Sequence, residues 1–444
     1  MTQASRQPFG SLEETLAGAL ARTQTLQVSG RVAEAYGTLI KVTGLNVRIG
    51  DLCLLKNPGS DWRLEAEVVG LSKSYALLAP LGGLEGISVA TEVLASDRSY
   101  EVPVGRGILG RVLNAHGEPI DDKGPLQSSG SVRVYNQPPS PLKRQLIRRP
   151  FQSGVRAIDS VLTCGEGQRV GVFAVAGAGK STLLGMLARG SNADVNVIAL
   201  IGERGREVNE FVLDNLGEAR LKRSVVVVAT SDRPAMERAK AAYVATAIAE
   251  SFRDEGQRVL LLFDSVTRFA RALRDVGLSI GEPPARRGYP PSVFTVLPQV
   301  FERAGNNDKG SITAFYSVLV EEEEVADPIA EEVRSILDGH IYLSRKLAGA
   351  NHFPAIEVSA SASRLMPRVA APEHLQDAGV LRKRLAKYQE IELLIQLGEY
   401  KPGGDPEADQ AIKCMPAIRR LLQQDSHILT RYEDAVHGLH GAVG

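Results

Sequence analysis

The order of apolar and polar positions divides the chain into three parts. Between residues 26 and 95, short β-like runs are separated by turns rich in Gly, Asn and Asp. Runs of this length and spacing are typical of a small β-barrel or sandwich. From about residue 366 onward the pattern becomes helical, as in LRKRLAKYQEIELLIQLGEY.

The middle of the chain, from about residue 155 to 360, alternates apolar runs with helical stretches. The apolar runs are continuous, which predicts parallel strands that are buried on both faces. They cover residues 169–175, 195–201, 224–229, 258–263 and 312–320. Together with a helical stretch at 234–252, this alternation predicts an α/β fold with a doubly wound parallel sheet.

The segment SLEETLAGALAR, residues 11–22, predicts a short amphipathic helix with Ser11 and Glu14 as a capping box. This helix either packs on its own domain or binds a partner, and we assign residues 1–24 to partner binding. We place the β-domain at residues 25–98, the α/β domain at 99–365 and the helical domain at 366–444.

Composition limits the classes of protein that the chain can represent. Its 444 residues include 52 basic and 52 acidic side chains, and this balance argues against a nucleic-acid partner. Three widely spaced cysteines suit a reducing cytoplasm better than a disulfide framework. We find no signal pattern and no apolar run near the roughly 18 residues of a membrane span, so we expect a cytoplasmic protein that can still dock on a membrane surface.

The stretch VAGAGKST, residues 175–182, lies between a predicted strand and a predicted helix. It fits the phosphate-binding pattern GxxxxGKS/T at Gly179, Lys180 and Ser181, although Ala174 replaces the first glycine. In such a loop, backbone N–H groups and the helix N-terminus hold phosphate oxygens. Lys180 then reaches the β- and γ-phosphates of a triphosphate, and the Ser181 hydroxyl ligates Mg²⁺.

Two carboxylates follow buried strands at the sheet edge where this loop is expected. Asp264 ends the run RVLLLFD, where it can hold a Mg²⁺-bound water. Glu203 follows the run at 195–201, and we assign it as the base that activates water, with Arg204 beside it as a further catalytic candidate. The competing interpretations are a helix-capping aspartate and a surface ion-pair cluster.

These features together resemble the catalytic subunits of rotary ATP synthases, and most closely the ATPases of type III secretion and flagellar export. The resemblance covers about residues 25–435, and the segment LTCGEGQR is more similar to the injectisome enzymes than to the flagellar ones. It implies a RecA-like P-loop NTPase core with an N-terminal β-barrel and a C-terminal helical domain. It rests on several long motifs, among them GRVLNAHGEPIDDKGPL, IGERGREV, LLLFDSVTRFARALRD and SASRLMPRV.

The resemblance implies catalytic and metal-binding roles at matching positions. Glu203 corresponds to the catalytic glutamate, and Asp264 and Ser181 correspond to the aspartate and the hydroxyl on the Mg²⁺ side of the site. Arg268 matches an arginine near the γ-phosphate. Arg364 matches the arginine finger, which a neighbouring subunit inserts into the site.

The resemblance also implies contacts to ATP. Phe353 and Pro354 match the aromatic–proline pair that stacks on adenine. The C-terminal aromatic residues that complete the adenine pocket of the synthase have no match, so the base specificity stays open. We expect the phosphates to be bound by the loop residues Ala176, Gly177, Ala178, Gly179, Lys180, Ser181 and Thr182.

For the assembly, the resemblance implies a homohexamer on the cytoplasmic face of the bacterial inner membrane, with ATP at the subunit interfaces. Its partners would be a stator-type regulator at the N-terminus, a central coiled-coil stalk protein, chaperone–effector complexes and the export gate. In the family, the loop that corresponds to residues 279–291 faces the central channel of the ring. Arg286 and Arg287 then either contact a stalk subunit or passing polypeptide, or lie in a solvated loop without contacts.

Other functions remain to be weighed against export of virulence proteins. They are flagellar export, a subunit of a proton-translocating rotary ATPase, a Rho-like ring that moves along RNA, and a non-catalytic nucleotide-binding scaffold. Tyr36, Trp62 and Tyr75 are too scattered to form an RNA-stacking platform. The presence of both Glu203 and Arg364 argues against the scaffold.

Overall fold

The computed structural model describes residues 29–36, 38–96, 99–320 and 327–444. The chain divides into two compact units, Met1–Ser99 and Tyr100–Gly444. The helix and the partner-binding segment predicted within residues 1–24 lie outside the described residues.

The described part of the first unit is a closed antiparallel β-barrel. Its strands are β1 (Ser29–Tyr36), β2 (Leu39–Thr43), β3 (Leu52–Lys56), β4 (Arg63–Leu71), β5 (Ala76–Pro80) and β6 (Glu92–Ser96). Their order around the barrel is β1–β2–β5–β4–β3–β6, and β6 pairs with β1 to close it. Alternate side chains fill the interior, as in β2, where Ile40 and Val42 are buried and their neighbours are less so.

The second unit is built around one large sheet and a two-stranded ribbon. The strands are β7 (Glu101–Val104), β8 (Arg111–Leu113), β9 (Gly130–Arg133), β10 (Arg169–Ala174), β11 (Val195–Ile201), β12 (Ser224–Ala229), β13 (Arg258–Asp264), β14 (Gly305–Asn306), β15 (Ser311–Leu319), β16 (Gly339–Leu343) and β17 (Ala362–Ser363). The ribbon pairs β7 with β9. The order across the large sheet is β17–β16–β10–β15–β13–β11–β12–β8, with β14 beside β15.

The centre of this sheet is parallel, from β16 through β10, β15, β13, β11 and β12 to β8. Every residue of β11 and β12 is buried, as expected for aliphatic strands that are covered on both faces. The five predicted strands are all present, with ends that differ by at most one residue from the prediction. The parallel arrangement matters for function because it brings the carboxyl ends of all these strands to one edge.

Helices cover the sheet and form the C-terminal region. They are α1 (Arg156–Val161), α2 (Lys180–Gly190), α3 (Gly205–Glu210), α4 (Gly217–Leu221), α5 (Ala235–Asp254), α6 (Val266–Ser279), α7 (Pro291–Phe301), α8 (Pro328–Ile336), α9 (Arg345–Gly349), α10 (Met366–Val369), α11 (Pro372–Gln396), α12 (Pro406–Leu422) and α13 (Tyr432–Val443). A π-helical turn, Phe211–Leu216, joins α3 to α4, and short 3₁₀ turns occur at Pro141–Lys143 and Arg286–Gly288. The predicted helix at 234–252 is confirmed as α5.

The C-terminal helices α11, α12 and α13 pack on one another and on α1. Their buried side chains, such as Leu381 and Ile418, belong to the same apolar cluster as the sheet core. The Gln424 side chain ties the region to the core by accepting from the Arg156 N–H at 2.7 Å and donating to the Gly154 carbonyl at 2.9 Å. Among the helices of the described residues, none is long and apolar enough to cross a membrane.

Candidate active site

The predicted phosphate-binding loop connects the end of β10 at Ala174 to the start of α2 at Lys180. Gly177 and Gly179 have φ angles of 82° and 84°, in the left-handed region where side chains other than glycine are strained. A Cβ built on Gly177 would meet no atom within 4 Å, so the space above that residue is open. The loop therefore exposes backbone in front of a helix N-terminus, which is the arrangement that binds phosphate.

Lys180 lies between two carboxylates at the carboxyl edge of the sheet. Its Nζ donates a hydrogen bond to Asp264 Oδ1 and lies 3.4 Å from Glu203 Oε1. Burial lowers the pKa of Lys180, but the charges of Asp264 and Glu203 outweigh burial and raise this pKa above its ordinary value. The side chain is therefore a fixed cation next to the loop.

Glu203 is a buried carboxyl whose protonation changes near neutral pH. Burial raises the pKa of Glu203 to about 7, the charge of Lys180 opposes that rise, and the charge of Asp264 adds to it. Arg268 donates from Nη2 to Glu203 Oε2 at 3.2 Å and from Nη1 to the Gly202 carbonyl. A carboxyl held in place with a pKa near 7 has the properties of a general base.

The remaining predicted loop and base-binding residues surround this cluster. Ser181 and Thr182 are exposed in the first turn of α2. Phe353 is 39% exposed, and its Cδ1 lies 3.5 Å from a Cβ built on Gly179, so its ring borders the loop. Pro354, the next residue in the chain, is buried. Of the other loop residues, Ala176 is exposed and Ala178 is buried.

The structure does not bring Arg204 into the cluster. The Arg204 side chain is 75% exposed, and Nη1 lies 3.4 Å from Glu207 Oε1 on the next helix. Although Arg204 is the chain neighbour of Glu203, the chain turns into α3 at this point, and the guanidinium pairs with that helix at the surface.

Arg364 lies at the opposite, amino edge of the sheet. Its N–H donates to the Asp338 carbonyl at 3.0 Å, and the Asp338 N–H donates to the carbonyl of Arg169, the first residue of β10, at 2.9 Å. The loop follows the last residue of β10, so the strand alone separates the two by more than about 15 Å at 3.3 Å per residue. The guanidinium bonds to the carbonyls of Leu337 and Arg334 instead, at 3.0 and 3.3 Å.

Ser317 is a residue of this cluster that the sequence did not lead us to predict. Ser317, on β15, donates from Oγ to Asp264 Oδ1 at 2.7 Å, and both side chains are buried. The signal that could have found it is a hydroxyl within the apolar run SITAFYSVLV, since a polar group in a buried strand needs a partner.

The Ser181 hydroxyl and the Asp264 carboxylate are oxygen ligands of the kind that fits Mg²⁺. No residue in the described part of the chain donates a hydrogen bond to Asp264 Oδ2, which leaves this oxygen available to an ion or its water. Carboxylate and hydroxyl oxygens are the ligands that Mg²⁺ prefers, and the ion usually completes its shell with waters and substrate phosphates. Such a shell does not need three protein ligands, and the described residues contain no group of three or more His, Cys, Asp or Glu side chains that could hold a metal.

Comparisons with known proteins cover almost the whole chain. The ATP synthase alpha/beta family matches with its beta-barrel domain at residues 32–96 and with its nucleotide-binding domain at 154–363. The C-terminal domain of the T3SS ATPase EscN matches residues 370–441. The "Type 3 secretion system ATPase" of Xanthomonas euvesicatoria is 54% identical over 425 residues, which are 96% of each chain. The chain belongs to the type 3 secretion system ATPases.

Other members of the wider family are nearly as similar to this secretion ATPase. The "Flagellum-specific ATP synthase" of Bacillus subtilis is 46% identical over 432 residues, 97% of this chain and 99% of the relative. Assembled EscN from enteropathogenic E. coli has a TM-score of 0.88 and 48% identity over 94% of this chain and all of EscN. EscN in complex with its central stalk EscO has a TM-score of 0.86. The predicted family and fold class are thereby confirmed.

Proposed function

We propose that this secretion ATPase hydrolyses ATP as a homohexameric ring in which two neighbouring copies share each site, and that hydrolysis energises type III protein secretion. The observation that carries the proposal is the separation of the site residues. Lys180, Glu203 and Asp264 meet at the carboxyl edge of the sheet, whereas Arg364 lies at the amino edge. One copy therefore holds a binding loop and a base, and a second copy must supply the arginine.

Each residue at the carboxyl edge has a task that its position supports. Residues 176–182 surround the phosphates, and Lys180 exchanges its carboxylate partners for β- and γ-phosphate oxygens. Glu203, relieved of Lys180, orients the attacking water and accepts its proton. Arg268 remains as a cation beside Glu203 at the rim of the γ-phosphate site, whereas Arg204 stays outside it, paired with Glu207 at the surface.

Ser181 and Asp264 would hold Mg²⁺ at this site. When bound, Mg²⁺ neutralises charge on the β- and γ-phosphate oxygens. Phe353, next to Pro354 in the chain, would stack on the base of ATP because its exposed ring borders the loop at Gly179. An aromatic face accepts any purine, so the specificity for adenine depends on residues other than Phe353.

The pKa of Glu203 predicts how activity depends on pH. Because the base must be ionised, kcat/KM for ATP should fall below pH 7 by about tenfold for each pH unit, and it should level off above pH 7. Initial rates at low ATP concentration between pH 5.5 and 9 measure this profile. A profile that is flat through pH 7 in the intact ring would contradict the assignment of Glu203 as the base.

The partners follow from the family and from one exposed loop. Arg286 and Arg287 lie in an exposed loop between α6 and α7, and we assign this loop to contact with a central coiled-coil stalk, as the complex of EscN with EscO suggests. We assign the C-terminal helices to chaperone–effector complexes and residues 1–24 to a stator-type regulator, and the export gate would be a further partner of the ring. The ring would then lie on the cytoplasmic face of the inner membrane as a peripheral protein.

The purified chain tests the proposal directly. We expect ATP hydrolysis that depends on Mg²⁺, with a specific activity that rises with protein concentration in parallel with the mass of the hexamer. Mass photometry and a phosphate-release assay on the same samples measure both quantities. Full activity in a fraction that contains only monomers would refute the shared site.

A flagellar export ATPase is the second candidate, because the Bacillus subtilis relative aligns over 97% of this chain. The two functions differ in the partners that the ring serves, not in the site. Restoration of effector secretion, but not of motility, in strains that lack the respective ATPase would support secretion by an injectisome.

A further inference from the structure

Ser317 is a fully buried hydroxyl in the centre of the large sheet. Its neighbours on β15, Tyr316 and Val318, are also fully buried. A buried hydroxyl without a hydrogen bond costs roughly 1–3 kcal/mol, so a serine at this position needs a partner. The partner is the carboxylate of Asp264, on the adjacent strand β13, at 2.7 Å from Ser317 Oγ.

The direction of this hydrogen bond is fixed by chemistry. An ionised carboxylate only accepts, so the Ser317 hydroxyl must donate to Asp264 Oδ1. The same oxygen also accepts from Lys180 Nζ. Two donors therefore hold Oδ1, and the geometry leaves Oδ2 free of hydrogen bonds from the described residues.

The two donors differ in what happens to them when ATP binds. Lys180 belongs to the phosphate loop, so under the proposed function it moves to the phosphates. Ser317 lies within a buried strand, and Asp264 is the partner of its hydroxyl among the residues that the structure describes. Once Lys180 has left, Ser317 is the donor that still prevents rotation of the Asp264 carboxylate.

We propose that Ser317 is a positioning residue that holds Asp264 Oδ1 at the sheet edge so that Oδ2 stays available to Mg²⁺ or its bound water. The inference rests on the proposed function, in which Asp264 serves the metal. Hydrogen-bonded partners of this kind typically change metal affinity by about 10–100-fold when they are removed.

A matched pair of variants separates the hydroxyl from the shape of the side chain. Because Thr and Val have nearly the same shape, Ser317→Thr and Ser317→Val add about the same volume to the packed core. Only Thr keeps the hydroxyl. Ser317→Ala completes the series as the smaller variant. Ser224→Ala is the control, because Ser224 is an equally buried serine on β12 whose Oγ donates to the Arg220 carbonyl at 2.7 Å.

The first readout is nucleotide binding without turnover. Calorimetry of ADP binding, with Mg²⁺ and with EDTA, gives the factor by which Mg²⁺ tightens binding. We expect the ratio of the ADP Kd in EDTA to the ADP Kd with Mg²⁺ to be about 10-fold or more smaller in Ser317→Val and Ser317→Ala than in the wild type. The affinity for ADP in EDTA should be unchanged. Ser317→Thr and Ser224→Ala should keep the wild-type factor.

The second readout is the Mg²⁺ concentration that gives half-maximal hydrolysis. It should rise about 10–100-fold in the Val and Ala variants, and kcat at saturating Mg²⁺ should fall much less. The role of Ser317 would be overturned if a variant lost ADP affinity equally with and without Mg²⁺. It would also be overturned if the Thr and Val variants showed the same dependence on Mg²⁺. Failure of the wild-type protein to hydrolyse ATP would instead count against the proposed function, and the binding measurement would still stand.

Discussion

Replacement of Glu203 by Gln is expected to lower kcat for ATP hydrolysis by about 10²–10⁴-fold while ATP still binds. The amide keeps the shape of the side chain and can accept a hydrogen bond from Arg268, but it cannot accept a proton from water. Because the variant retains Lys180 and the loop, the Kd for a fluorescent ATP analogue should change by no more than about threefold. Single-turnover hydrolysis and equilibrium binding on the same preparation measure the two effects separately.

The matched control for this variant is Glu210→Gln, in the exposed part of α3. Glu210 pairs with Arg206 at 2.7 Å on the surface, with a side chain that is 47% exposed, so loss of its charge should leave kcat unchanged.

A measurement of Tm checks that the loss of activity in Glu203→Gln does not arise from unfolding. The pKa of Glu203 is raised from 4.5 to about 7, so the folded state holds this proton more tightly than the unfolded chain. Ionisation of Glu203 therefore costs stability as pH rises from 4.5 through 7, and at pH 8 the Tm of the Gln variant should be no lower than that of the wild type. Similar losses of kcat in both variants would show that Glu203 is not the base.

Replacement of Arg364 by Ala is expected to lower kcat by about 10³–10⁵-fold, although Arg364 lies at the far edge of the sheet from the loop of its own chain. The physical reason is that a second copy must bring this guanidinium to the terminal phosphate, where it stabilises the charge of the transition state. Mixed rings test this. An equal mixture of Arg364→Ala and Glu203→Gln chains should regain activity, because about a quarter of the interfaces then join an intact Glu203 to an intact Arg364.

Arg368→Ala provides the control for the arginine variant, since Arg368 is exposed and only four residues further along the chain. It should keep wild-type activity alone and in mixtures. The mixed sample must also contain hexamers, which native mass spectrometry with one isotopically labelled chain can verify. Mixed hexamers that stay as inactive as the two parent variants would rule out a site shared in the proposed way.

The positions of the strands were predictable because continuous aliphatic runs have few stable alternatives to a buried parallel strand. The loop from Ala174 to Lys180 was predictable for a related reason, since its glycines, lysine and serine follow a strand and precede a helix. Asp264 and Glu203 could be named from their places at the ends of such strands. The sequence alone thus determined the α/β core and the positions of the loop after β10 and of the two carboxylates beside it.

Only the tertiary structure decided which of the charged residues meet. Glu203 and Arg204 are adjacent in the chain, yet one is buried beside Lys180 and the other faces solvent. Ser317 lies 53 residues from Asp264, and strand pairing alone brings the two within 2.7 Å. Arg364 and Lys180 follow strands of the same sheet but lie at its opposite edges. Contacts of this kind depend on the order and register of strands that are distant in the chain, and local patterns of side chains carry no information about that order.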